Sequence, residues 1–235
     1  YTATIVTENL FYPVALLFAW VLVLALERPS LLRVGLLGVV LVTAIATRSQ
    51  ALGFVGAAVL APFVLALLRW DARVLRPFLP FVGAAVALVL LVLGGQLLRG
   101  GSIADLLGAY SVVGEGGYDV GQVLRFWLWH VEIVTLYVCV VPVVALVVLL
   151  FQTRRLAPAL QAHLAATLSL VVTSTLVVAA FASRFASDRV QDRYLFFLAP
   201  LLVIVLLAWV ELGAPRPALA LGVGAVIAVG LVTAF

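Results

Sequence analysis

The sequence predicts an all-α protein, a polytopic bundle of transmembrane helices, and three observations carry that reading. Mean hydropathy is +1.30. Only 10% of the 235 residues are charged while 66% are hydrophobic, and every basic residue is an arginine. Long apolar runs alternate with short turns rich in Arg, Gly and Pro. An ordinary soluble domain has no such composition. An open sheet leaves backbone groups unsatisfied in lipid, and a closed barrel shows short alternating segments instead of continuous apolar runs. The net charge of +4, 14 arginines against 10 acids, describes membrane-edge loops and excludes a nucleic-acid surface.

Apolar runs of about twenty residues bounded by charge, Gly or Pro predict about eight spans and one interfacial helix. The first covers residues 10–26, preceded by YTATIVTEN. Thr7 is its candidate cap, and Glu8 in a first turn suits the positive end of the helix dipole. After ERPS the second span covers 31–46, and the very short TRSQ joint with Arg48 makes it a tight antiparallel pair with the third, 51–68. The plain reading of Arg48 is a side chain snorkelling to head groups. RWDARVLRP leads to a fourth span at 78–98, with Pro77 and Pro80 at its start, where a missing N–H does least harm.

Residues 99–132 form the longest polar stretch, a glycine-rich linker with Asp105, Glu115 and Asp119, followed by QVLRFWLWHVE. That segment opens a fifth span, 122–151, too long for one perpendicular crossing. It is predicted to lie along the interface, with Trp127 and Trp129 at head-group level and Arg125, His130 and Glu132 wet. Cys139 falls in the apolar part and reads as a small packed hydrophobe. The sixth span, 157–182, carries TLSLVVTSTL, whose hydroxyls can bond their own helix carbonyls, and His163 near its start reads as an interfacial histidine. A seventh span covers 195–210, and an eighth follows ELGAPRP.

Between the sixth and seventh spans lies the densest charge in the chain, SRFASDRVQDRY at residues 183–194, with Arg184, Arg189, Arg193, Asp188, Asp192 and Tyr194. One reading is a solvated loop with local ion pairs. The other is a pocket for a phosphate or diphosphate head group, because the guanidinium fork pairs with phosphate oxygens two at a time. Alternating spans put eight arginines (28, 33, 69, 73, 76, 154, 155, 216) at one end and six (48, 99, 125, 184, 189, 193) at the other. This bias favours the first end as cytoplasmic. Glu8, Arg48, the linker and the arginine-rich loop then share the outer face.

Four segments in order, YTATIVTENLFYPVALL, ALERPS, ATRSQAL and DRYLFFLAPLLVIVLLAW, resemble integral-membrane glycosyltransferases of the GT-C superfamily. The likeness is to family 39-like members, related to protein O-mannosyltransferases and the lipid A aminoarabinose transferase. The first segment matches an E-x-L-F-Y-P-L pattern, and the resemblance spans most of the chain. It implies transfer of a sugar from a polyprenyl-phosphate donor to a lipid, glycan or protein acceptor, on the periplasmic or extracellular face of a bacterial plasma membrane. The resemblance places the catalytic base on an acidic residue upstream of Tyr1, so the chain reads as one membrane domain, 1–235, cut at both ends. It makes Glu8 an active-site acid that lines the site or helps hold a divalent metal. It assigns the donor phosphate to Arg193 and Tyr194, with Arg189, Arg184 and Arg48 as further candidates. The proline of the D-R-Y-L segment comes later here, at Pro200, a departure from the family pattern that bears on where the helix starts. Two other classes fit the composition: a lipid-linked sugar transporter or flippase, which would carry charge along a path through the bilayer, and a non-enzymatic scaffold.

Overall fold

A computed structural model describes residues 2–80, 82–83, 90–91, 94–95, 98, 118–185 and 192–232. Most of the expected fourth span and linker, and residues 186–191 of the arginine-rich loop, lie outside them. Among the described residues all regular structure is helical. We number the α-helices α1 (Thr2–Glu27), α2 (Leu31–Thr47), α3 (Leu52–Arg69), α4 (Val120–Tyr137), α5 (Val141–Phe151), α6 (Pro158–Phe185), α7 (Leu198–Glu211) and α8 (Ala218–Val232). Three of them, α1, α3 and α6, are long and apolar enough to cross a membrane, and α4 with α5 makes a fourth candidate bent by 104°. The all-helical part of the expectation is met among the described residues, and three or four candidate spans stand where about eight were expected.

Local chemistry explains most boundaries. Ser30 caps α2 by accepting from Arg33 N, and Arg33 Nη1 donates to Leu24 O and Arg28 O, tying the ERPS turn shut. Asp71 caps the 3₁₀ turn Ala72–Phe78, and Asp119 caps α4 through Gln122 N. Pro200 stands third in α7, in the first turn, where it displaces no helical hydrogen bond.

Three boundaries differ from expectation. Helix α1 begins at Thr2, so YTATIVTEN is helical, Thr7 is no cap, and Glu8 lies beyond the first turn. Helix α4 runs through QVLRFWLWHVE to Tyr137, and the change of direction comes at Val138–Val140. There Cys139 (φ 60°) and Val140 (φ 65°) are left-handed, and Pro142 follows inside the first turn of α5. Two consecutive positive-φ residues end any helical ladder. Cys139 is therefore exposed at the break instead of packed.

The core forms where α3 crosses α6. A Cβ on Gly53 would lie 2.9 Å from Ser174 Cα, and one on Gly56 would lie 3.1 Å from the Thr173 methyl. Helices apolar enough to sit in a membrane gain little drive to pair there from the hydrophobic effect, and such close backbone approach supplies dispersion contacts that hold them. It also sets Phe54, fully buried, between α1 and α7: its ring stacks on Phe18 at 4.7 Å and Phe11 at 5.7 Å and meets Phe197 edge-on at 5.3 Å.

Contacts across the bundle sort its ends as the alternation predicted. Arg69 Nε donates to Gln161 Oε1 and Arg154 stacks on Trp70, joining the turns after α3 and α5 at one end. Arg48 meets Tyr194 towards the other. Gly53→Ala is expected to lower the thermal unfolding temperature in detergent, at a cost of about 1–3 kcal/mol for forcing a methyl against backbone. Gly35→Ala, which meets nothing within 4 Å, should leave the temperature unchanged or raise it.

Candidate functional site

Two arginines separated by most of the chain converge on one phenol. The Arg48 guanidinium lies 4.5 Å from the Tyr194 ring centroid and that of Arg193 lies 5.1 Å from it, with Arg193 Nη2 donating to Tyr194 Oη at 3.2 Å. Helix geometry brings them there. Arg48 is the extended residue that ends α2, directly before the 3₁₀ turn Ser49–Ala51. Arg193 and Tyr194 occupy the 3₁₀ turn Asp192–Leu195 that precedes α7. Tyr12 of α1 pins this turn by donating its hydroxyl to Arg193 O at 2.6 Å. Phe196 packs against both Tyr12 and Tyr137 of α4, while Leu195 and Phe197 turn into the core.

The cluster lies below the ends of the long helices, with Arg193 exposed and Arg48 and Tyr194 half-buried. Gly53, just past the Arg48 turn, lies level with Ser174, yet α6 continues eleven residues further to Phe185. That is about 16 Å at the helical rise. Tyr12 likewise sits ten residues after the first residue of α1. Helix α4 descends the same flank of α6, from Tyr118 beside Arg184, through Phe126 packed with Ala179 and Ala182, to Trp127, whose Nε1 donates to Thr175 Oγ1 at 2.8 Å. The ends of α1, α4 and α6 thus rise two to three turns above the arginine pair.

Chemically the cluster presents two guanidiniums and a phenolic hydroxyl from three directions. Stacking on an aromatic face is favourable for a partly desolvated guanidinium. Such a set matches the several acceptor oxygens of a phosphate.

The predicted site residues divide accordingly. Arg48, Arg193 and Tyr194 are brought together. Arg184 belongs to a different set of rings, lying 5.5 Å from the Tyr118 centroid and 5.1 Å from that of Phe185. Arg189 lies outside the described residues, as does Asp188 and the side chain of Asp192. The Glu8 side chain is also outside them; its position on α1 is four residues before Tyr12. Among the described residues no group of three His, Cys, Asp or Glu side chains is placed to hold a metal, so no metal site is built from them. Tyr12 went unassigned as a site residue, although it stands inside the ENLFYP segment. Its spacing from Glu8 was the available signal.

The expectation that Arg125, His130 and Glu132 stay wet holds only for Arg125, which is exposed and stacks on Trp129 at 4.7 Å. His130 is 0% exposed, with Nδ1 2.7 Å from Phe126 O. Glu132 is 2% exposed, and its Oε2 has no hydrogen-bond partner among the described residues. Both are buried because α4 packs along α6 and does not float at the surface. His163 likewise sits within the bundle, its Nε2 3.2 Å from Leu201 O of α7. Two hydroxyls of α6 bond their own helix, Thr173 to Ser169 O and Thr175 to Val171 O, whereas Ser169 Oγ and Ser174 Oγ are buried with no hydrogen-bond partner among the described residues.

Comparison of the chain with protein families, with characterised proteins and with solved structures finds no match.

Replacing Tyr12 with Phe removes the bond to Arg193 O. That should cost about 1 kcal/mol and raise amide hydrogen exchange at 192–198, with the rest of α1 unchanged. Unaltered exchange in that turn would show that the Tyr12 hydroxyl does not hold it.

Proposed function

We propose that the intact protein is a membrane glycosyltransferase that moves a sugar from a polyprenyl-phosphate donor to an acceptor on the outer face of a bacterial plasma membrane. The observation that supports it best is the convergence of Arg48, Arg193 and the Tyr194 hydroxyl at one point below the helix ends, on residues of the segments that resemble GT-C enzymes. As the glycosidic bond breaks, negative charge grows on the departing phosphate. Fixed guanidiniums stabilise that charge most in the transition state, where it is greatest. A site flanked by spanning helices also suits a donor whose tail stays in the bilayer while its sugar projects outward. Removal of the acceptor proton requires a base, which the resemblance assigns to an acidic residue upstream of Tyr1. Glu8, one turn from Tyr12, is then a second acid at the rim.

One observation favours a transporter or flippase instead. Glu132 is buried within the bent α4–α5 pair, and ionisable groups inside membrane helices often mark ion or substrate pathways.

In membranes carrying the intact protein, Arg48→Ala, Arg193→Ala and Tyr194→Phe should each lower sugar transfer from a polyprenyl-phosphate donor. The arginine changes should cost roughly a hundredfold, the scale for losing one preorganised charge stabiliser, with protein levels unchanged. Wild-type turnover in both arginine variants sinks the phosphate assignment. Glu132→Gln separates the two readings: it leaves transfer intact in an enzyme, whereas in a transporter it stops passage of the lipid-linked sugar across sealed vesicles.

A further inference from the structure

At the end of the bundle opposite the Arg48–Tyr194 cluster, a cavity of about 460 Å³ opens between the C-terminal ends of α3 and α5 and the turn that leads into α8. Its lining is mixed: Leu67, Leu68 and Phe151 supply an apolar wall, and Trp70, Arg154 and Arg155 supply an indole and two charges. We propose that this recess holds an anionic phospholipid, its phosphate on the two arginines and the start of an acyl chain along the apolar wall. The proposal rests on the membrane reading alone and is independent of sugar transfer.

The arginines are displayed on a fixed turn. Gln161 donates its amide to Thr153 O at 2.8 Å and Leu156 O at 3.2 Å, bracketing the 3₁₀ turn Thr153–Arg155, and the Thr153 hydroxyl is committed to Leu149 O and Leu150 O. Arg69 is also engaged, with Gln161 Oε1 and Pro158 O. Arg154 and Arg155 remain exposed, and neither makes an ion pair among the described residues.

Trp70 closes the recess. It is 74% exposed and left-handed (φ 53°), with its N–H bonded to the last carbonyls of α3 and the Arg154 guanidinium 5.3 Å from its ring. A large non-glycine residue held at positive φ is uncommon, and an exposed indole at the end of a spanning helix is where tryptophan meets lipid head groups. Charge at this end favours an anion: eight arginines face three acids, Glu27, Asp71 and Glu211. Of these, Glu27 lies 3.7 Å from Arg28 and Asp71 caps its own turn. A free inorganic anion would make no use of Leu67 and Phe151, which are 66% and 56% exposed beside the arginines. A lipid with a charged head and apolar chain uses both parts of the lining.

The test is native mass spectrometry of the full chain in neutral detergent, titrated with phosphatidylglycerol or phosphatidylcholine of matched chains. Wild-type protein should retain one phosphatidylglycerol at concentrations where phosphatidylcholine is lost. Arg154→Gln with Arg155→Gln should weaken that retention about thirtyfold, the scale for losing two arginines from an anionic interface. Arg76→Gln, exposed at the same end but outside the recess, should change it by less than about twofold. Equal retention of the two lipids by the wild type overturns the proposal without reference to any variant. So does an equal loss in Arg76→Gln, which would mean diffuse surface charge, or displacement of the lipid by millimolar inorganic phosphate, which would mean a site for a free anion.

Discussion

The close approach of α3 to α6 at Gly53 and Gly56 is the contact on which the arrangement of this protein depends. For helices of spanning length and apolarity, a lipid surround would add nothing for hiding apolar side chains from water, and pairing would come from fit. Two glycines let the backbone of α3 ride against Ser174 and Thr173, and Phe54, between them in sequence, is thereby set against Phe11, Phe18 and Phe197. Those rings belong to α1 and to the residue just before α7, so one helix crossing orders three further segments.

The site follows from that packing by adjacency. Phe11 and Phe197 point into the core, which leaves their neighbours Tyr12 and Phe196 to pack against each other beside it. Tyr12 then reaches the backbone of Arg193, and Tyr194 meets Arg48. A guanidinium that packs at a membrane edge loses hydration, and an aromatic face replaces part of it. This accounts for tyrosine, with both a ring and a hydroxyl, at the point where two arginines meet.

The two ends of the bundle use arginine differently. At one, the side chains lean over a tyrosine whose turn is pinned to α1, below the rising ends of α1, α4 and α6. At the other, Arg154 and Arg155 stand on an exposed turn braced from beneath by Gln161. Between the ends, the bent α4–α5 pair carries His130 and Glu132 into the packed region, where charge is costly and seldom incidental.

Hydropathy and its interruptions are local properties, and the sequence by itself determined what depends on them: an all-helical, lipid-compatible class, the TRSQ joint at which α2 ends and the sorting of arginines between two ends. It also singled out Arg48, Arg193 and Tyr194 one at a time, through the segments that hold them. Tertiary structure decided their meeting, because Arg48 and Tyr194 belong to elements far apart in the chain that the α3–α6 crossing, the Phe54 cluster and the Tyr12–Arg193 bond bring together. It likewise decided the burial of His130 and Glu132, whose polar side chains and nearby tryptophans read as interfacial until α4 is laid along α6. The break at Cys139 and Val140 had one local sign, Pro142, in an otherwise continuous apolar run, and a proline can begin a helix as readily as it ends one. Periodicity shows which residues a helix can bury, but which neighbour buries them is settled by backbone approach and ring packing between segments far apart in the chain.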